Sequence, residues 1–393
     1  MTAVTRSVLI VGASAAGISV AGGLRAGGYD GAITLLGEES ELPYDRPPLT
    51  KQLLSGAWER ERTLLLPGSR LAALDAQFIL GRRAVGLDVC AHIVIADDGT
   101  EHPYDALVIA TGAAPRTLPT AGLVGVHVMR TLADALALRR ALEPHPRLVI
   151  VGAGFLGLEA AATARTLGAT VTVVEPLTRP LAGRLGDHVA DRLLALHEAN
   201  GVEIHTGVGV ARLVGATAVE AVELTDGRSL PADVVLVAIG CVPCTGWLEG
   251  SALTVDDGIV CDEYCSAGPD VWAAGDVARW WHVGAGRHVR VEHRTNASEQ
   301  GSAVARAVLG ERVPFDPVPF FWTDQYDVKI QMAGLMGDEP EVMMAEGATE
   351  QSFVQLFNDG GTVTSVLGWN AAREVTQRRR ALNDQRPSRQ ITA

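Results

Sequence analysis

The segment Gly12-Ala-Ser-Ala-Ala-Gly17 follows the apolar run Val8–Val11, and Gly152-Ala-Gly-Phe-Leu-Gly157 follows Leu148–Val151. Both have the form of a strand-to-helix turn that holds a pyrophosphate. Small residues let backbone N–H groups reach the phosphates, and the helix that begins there offers its positive end. A carboxylate closes the next apolar run in each case, Glu38 after Ile33–Leu36 and Glu175 after Val171–Val174. Such an acid accepts both hydroxyls of a ribose. One turn of this kind is a weak signal. Two with matching acids, 140 positions apart from Gly12 to Gly152, imply two dinucleotides on one polypeptide.

For the turns to work, each must lie between a buried strand and a helix of small residues, and the sequence supplies that setting twice. The hairpin signal Asp98-Gly99 and the returning run Tyr104–Pro115 follow the first turn; Asp226-Gly227 and Ala232–Pro243 follow the second. The turn-to-closing-glycine span is 100 positions from Gly12 to Gly112 and 88 from Gly152 to Gly240. We therefore expect an α/β protein with two Rossmann-like dinucleotide-binding domains, one inserted in the other. Proline marks the crossings at Pro115–Pro119 and Pro243, which places the outer domain at residues 1–114 and 243–316 and the inserted one at 115–242. A buried strand within Asp270–Ala278 ends in Gly275-Asp276, and its mouth is where open α/β sheets bind ligands. The Asp276 carboxylate there suits a ribityl hydroxyl or a phosphate-bound water better than a helix cap. From Pro317 the character changes to aromatics, alternating strands (Ser352–Phe357, Val363–Trp369) and a basic helix with Arg378–Arg380. This reads as a small C-terminal α+β domain, 317–393, frayed from Asn383 onward.

Bulk properties narrow the function. The chain has 393 residues, 47% hydrophobic and 20% charged, which suits sizeable cores and excludes disorder. A net charge of −13 argues against nucleic acid or an anionic membrane as partner. The N-terminus runs directly into the first strand and no apolar run is long enough to span a bilayer, so the expected place is cytoplasmic. Cys241, Cys244, Cys261 and Cys265 admit a zinc site or a redox pair, but small buried residues are the favoured reading, with no metal expected. No cysteine precedes Cys90. Flavoenzymes that relay electrons through a disulfide often place it just after the first dinucleotide turn, and here that relay has no sulfur.

These motifs, with Pro43-Tyr-Asp-Arg-Pro-Pro-Leu-Thr-Lys51, Ala110-Thr-Gly112, Ala274-Gly-Asp276, Val291–Ala297 and Phe321-Trp-Thr-Asp-Gln-Tyr-Asp327, resemble those of one family: the FAD-containing, NADH-dependent ferredoxin reductases of the putidaredoxin reductase and biphenyl dioxygenase reductase type. The resemblance covers nearly the whole chain. It implies a glutathione-reductase-like fold with FAD in the outer domain and NADH in the inserted one. It implies FAD contacts at Ser14, Ala16, Glu38, Arg46, Lys51, Val85, Arg130, Asp276 and the backbone near Arg294, with NADH contacts at Gly154, Leu156, Glu159, Glu175 and Gly240. The matching segments add Gly12, Gly17, Ala110, Thr111, Gly112, Gly152, Gly157, Gly275, Glu292, His293 and Ala297 to the cofactor-binding set, and Trp322 would lie near the isoalloxazine. Arg294 departs from the pattern, since apolar or aromatic side chains are usual there. An inward side chain would add a cation beside the flavin.

Lys51 has support from the sequence itself. Only Lys51 and Lys329 are lysine among 33 basic residues, so a lysine kept here suggests a need for a compact ammonium on a flexible stem. The family reading pairs it with Glu159 beside flavin N5, which gives Lys51, Glu159 and Trp322 as the catalytic set. Hydride would pass from NADH to FAD, and the electrons would leave singly to a [2Fe-2S] ferredoxin serving a cytochrome P450 or a ring-hydroxylating dioxygenase. Glu175 favours NADH because a carboxylate repels a 2′-phosphate, with Arg179 close by in sequence as the countersign. An acidic protein needs a local positive patch for an acidic ferredoxin, with Arg306, Arg312 and Arg378–Arg380 as candidates. The alternatives are an NADH-sensing flavoprotein resembling apoptosis-inducing factor and a reductase for rubredoxin or a small-molecule acceptor. A monomer or weak homodimer is expected.

Overall fold

The computed structural model describes residues 6–120, 122–336, 341–345 and 349–384. Its first sheet has six strands in the order Ser266–Gly268, Val271–Ala273, Ala106–Ile109, Ser7–Val11, Ala32–Gly37 and Gln77–Leu80. All neighbours run parallel except the Ser266–Gly268 edge. Strands buried on both faces need continuous apolar runs, and Val8–Val11 and Ala106–Ile109 are buried at every position. The helices Ala15–Ala26 and Arg294–Val308 pack together on this sheet. The strand order, not the direction, reverses on either side of Ser7–Val11, so the Gly12 turn opens at the switch point of the sheet.

The second sheet repeats the design with Glu203–Thr206, Thr170–Glu175, Arg147–Val151, Val234–Val237 and Val126–His127 in that order. Even the register matches. Val11 stands beside Leu36 as Val151 stands beside Val174. The two crossing segments pair with one another: Ala113–Pro115 and Cys241–Pro243 form a short antiparallel ribbon at the proline-marked positions. The hairpin turns at Asp98-Gly99 and Asp226-Gly227 are also observed.

The chain ends in a five-stranded antiparallel sheet, ordered Phe320–Gln325, Val328–Gly334, Thr362–Trp369, Phe353–Asp359 and Glu341–Met344. The Ala372–Asp384 helix packs on it through buried Val375 and Leu382. This is the expected α+β unit, with one correction: Asn383 belongs to that helix, because the apolar spacing of Val375 and Leu382 carries it past the basic run. The remainder of the segment expected to fray, 385–393, lies outside the described residues. No helix among the described residues is long and apolar enough to cross a membrane.

Candidate functional site

The two glycine turns are superposable in their contacts. A Cβ on Gly12 would sit 2.1 Å from the Ala110 carbonyl oxygen, and one on Gly152 would sit 2.4 Å from that of Ala238. Their positive φ angles, 121° and 107°, also favour glycine. The helices that follow are left open. Ala15–Ala26 has Ser14 at its N-cap with no capping bond, Phe155–Thr166 has Gly154 there, and neither carries an acid in its first turn. By contrast, Leu132–Ala141 is closed by a full capping box from Thr131 and Asp134. Uncapped N–H groups at the mouth of a parallel sheet fit a pyrophosphate. Gly154 and Gly240 face open space, and Leu156 is among the exposed large apolar residues.

The two carboxylates expected to hold a ribose differ. Glu38 is exposed at the end of Ala32–Gly37 and makes no hydrogen bond or ion pair with the described residues. Glu175 is buried; its oxygens accept from the N–H groups of Ala153 (2.9 Å) and Leu177 (2.9 Å). Each oxygen retains a further lone pair for a ribose hydroxyl. Arg179 is held by Asp187 at 2.5 Å and by Asp191.

Around the first turn, Asp276 pairs with Arg130 (Oδ2 to Nη2, 3.1 Å) rather than capping a helix. Gly112, at φ 69°, leaves room for that guanidinium, and Thr111 donates to the Cys244 carbonyl at 3.0 Å. Arg46 donates to the Arg130 carbonyl (2.6 Å) and to Glu39 (2.7 Å) and approaches the Tyr44 hydroxyl (3.0 Å). Burial pushes the Tyr44 phenol up to about 12, so it stays a donor, to Glu39. Gly275 donates to buried Gln300 at 2.8 Å, and Ala16 and Ala297 line the same turn. Val85 is exposed on the Ala84–Asp88 strand.

The two units meet at Lys51. Its ammonium lies 2.6 Å from Glu159 Oε2, and both side chains are nearly buried. The 3-10 turn Pro47–Thr50 delivers Lys51, which also donates to the Pro47 carbonyl at 3.2 Å. Helix Phe155–Thr166 delivers Glu159 and, one turn on, Thr163, whose hydroxyl donates to the Thr50 carbonyl at 2.7 Å. Two more hydroxyls donate to the carboxylate: Thr50 to Oε2 at 2.6 Å and Thr323 to Oε1 at 2.7 Å. A buried carboxylate is stable only when paired and hydrogen-bonded, and Glu159 is both.

Thr323 belongs to strand Phe320–Gln325, whose alternation puts Phe321, Thr323 and Gln325 on one face. Phe321 contacts Phe155 and His293, ring centroids 5.0 Å apart in each case. Trp322 points from the other face with Phe320, so the structure does not join it to the Lys51–Glu159 pair. His293 is lowered to about 4 by burial and then by the Arg184 guanidinium, and its buried Nδ1 has no partner among the described residues. Burial opposes ionisation of Glu292, but Cys241 and Arg290 outweigh it and hold the carboxyl below its ordinary value. Arg294 turns to Asp45 and donates to Ser298 at 2.5 Å, so it adds no unpaired cation. Thr50, Thr323, Gln325, Phe155 and Phe321 escaped the sequence reading as site residues, although three of them lie inside the quoted Phe321–Asp327 motif.

The pyridine nucleotide-disulphide oxidoreductase family matches residues 6–301, and a reductase C-terminal family matches 320–392. Putidaredoxin reductase of Pseudomonas putida is 36% identical over 97% of this chain and 92% of its own length. The chain belongs to this oxidoreductase family, among its ferredoxin reductases. The ferredoxin–NAD(+) reductase component of the biphenyl dioxygenase system of Paraburkholderia xenovorans is 37% identical over 94% of this chain and 91% of its own. A crystal structure of the covalent putidaredoxin reductase–putidaredoxin complex superposes with a TM-score of 0.92 at 35% identity, covering 97% of this chain and 93% of that one.

Family membership makes the thiols informative. All five cysteines are free. Burial pushes Cys241 and Cys265 up to about 12 and Cys261 well upward, so these thiols are inert at neutral pH. The arginines expected to form a docking patch are partly neutralised: Arg306 lies 3.6 Å from Glu311, and Arg379 bonds Glu299 at 2.9 Å.

Proposed function

We propose that this protein takes electrons from NADH and delivers them, through FAD, to a [2Fe-2S] ferredoxin that supplies a P450 or ring-hydroxylating dioxygenase. The observation that carries the proposal is the buried Lys51–Glu159 pair, set between two uncapped dinucleotide turns. FAD, when bound, supplies a centre that accepts two electrons together and releases them one at a time. The chain's own part is to bind and align. Residues 1–114 and 243–316 hold FAD through Gly12, Ser14, Glu38, Arg46, Arg130 and Asp276. Residues 115–242 hold NADH through Gly152, Gly154 and Glu175, and 317–393 close the site from the side of Thr323. With FAD bound, the Lys51 ammonium would offset negative charge on the ring, and Glu159 would keep that ammonium in place. Because NADH is the donor, the cytoplasm is the compartment we assign.

Purified protein tests this directly. It should be yellow, with about one FAD per chain, and should reduce cytochrome c with NADH only when a [2Fe-2S] ferredoxin is added from a panel. Colourless protein that takes up no FAD, or turnover indifferent to every ferredoxin, would overturn the proposal.

A further inference from the structure

Behind Glu159 lies a line of buried polar groups that binding of the cofactors does not require. Thr323 Oγ1 is 2.7 Å from Glu159 Oε1, and Gln325 Nε2 is 3.0 Å from Thr323 Oγ1. His197 Nε2 is 2.6 Å from Gln325 Oε1, and the Tyr326 hydroxyl approaches His197 Nδ1 at 3.4 Å. Thr323 and Gln325 are each 1% exposed and His197 is 0% exposed, so bulk water cannot replace the bonds that join Glu159, Thr323, Gln325 and His197.

The chemistry of the donors gives the line a direction. A carboxylate has no proton, so the short Thr323–Glu159 contact consumes the single proton of the threonine hydroxyl. The Thr323 oxygen must then accept from Gln325, which fixes the amide with its NH₂ toward Thr323 and its oxygen toward His197. That oxygen requires a proton on His197 Nε2, which leaves Nδ1 to accept from Tyr326. Burial lowers the His197 imidazole, which keeps the ring neutral, as this arrangement demands. Every donor points toward Glu159.

We propose that Thr323, Gln325 and His197 are positioning residues: a one-way hydrogen-bond chain that fixes the Glu159 carboxylate and, through it, the Lys51 ammonium. The inference rests on the reading of Lys51–Glu159 as the flavin-facing pair. It also gives the C-terminal strand Phe320–Gln325 and the helix Asp187–Ala199 a role in the chemistry, although neither carries a dinucleotide turn.

Two measurements on the FAD-loaded protein test this. First, nitrogen NMR of ring-labelled histidine, with His197 assigned by its loss in His197→Asn, should show a neutral ring protonated on Nε2 between pH 6 and 8; a proton on Nδ1 overturns the direction of the chain. Second, in stopped flow Thr323→Val should slow flavin reduction by NADH about tenfold, the effect of one lost bond to a charged group, while Thr323→Ser recovers most of the rate. Gln325→Met should fall between them, and all three variants should keep their FAD. If Thr323→Ser is as slow as Thr323→Val, packing rather than the hydroxyl matters and the inference fails. Lys51→Met separates the two levels. If it is slow while Thr323→Val reacts normally, the chain is overturned and the flavin-facing pair stands; if Lys51→Met itself reacts normally, both fall.

Discussion

Gly152 and Gly154 stand two residues apart in the second turn, yet the structure assigns them opposite consequences on replacement by alanine. A Cβ on Gly152 would lie 2.4 Å from the Ala238 oxygen and 2.9 Å from its carbon, at a φ of 107°. Relief would require parting the Arg147–Val151 and Val234–Val237 strands, which are buried against each other. Backbone strain alone costs about 1–3 kcal/mol, and the clash with main chain adds to it, so Gly152→Ala belongs with the exceptional losses above about 4 kcal/mol. Little folded, yellow protein should be recovered. At Gly154 a Cβ meets no atom within 4 Å, and φ −74° with ψ 175° is open to any residue. The fold and its FAD should therefore survive. The added methyl instead stands in front of uncapped N–H groups, where the proposed NADH site would hold the pyrophosphate. Weakening one charge-assisted bond there is worth roughly 1.5–3 kcal/mol, or about ten- to a hundredfold in affinity. The assay is saturation of flavin reduction by NADH in stopped flow, with FAD content read from the absorbance of the same sample. Gly154→Ala with wild-type NADH affinity, or losing FAD together with NADH, would refute this account of the second turn.

Asp187→Asn with Asp191→Asn should release Arg179 and raise kcat/KM for NADPH relative to NADH by roughly tenfold, as expected of one freed guanidinium meeting a phosphate; an unchanged ratio removes Arg179 from cofactor selection. The His293 imidazole is depressed from 6.5 to about 4, so the folded state resists its protonation. Its contribution to stability is complete above pH 6.5 and is lost as pH falls toward 4, and His293→Gln should flatten the thermal stability profile across that window. Cys90 is the exposed cysteine, and the thiols of Cys241, Cys261 and Cys265 are pushed upward by burial. Iodoacetamide at pH 7.5 should therefore label Cys90 first and leave ferredoxin-dependent turnover unchanged, as mass spectrometry and the coupled assay can establish together.

The turns, the hairpins and the inserted topology were legible because each is a local pattern: a glycine spacing, a dipeptide, an apolar run closed by an acid. The Lys51–Glu159 pair was legible only through family resemblance and the rarity of lysine, since its members stand 108 positions apart and the sequence between them carries no local trace of their 2.6 Å contact. What stayed hidden were the neutral side chains that complete the site. Thr50, Thr323 and Gln325 look like ordinary strand and turn residues, and their chemistry arises only when three distant segments close over one carboxylate. Arg294 shows the same limit from the other side. Its charge suggested an electrostatic change beside the flavin, but Asp45, 249 positions away, absorbs it. A charge read from sequence is half of an interaction. In this protein the fold supplies the other half, and the sites where it does so with neutral hydroxyls and amides are those a sequence conceals best.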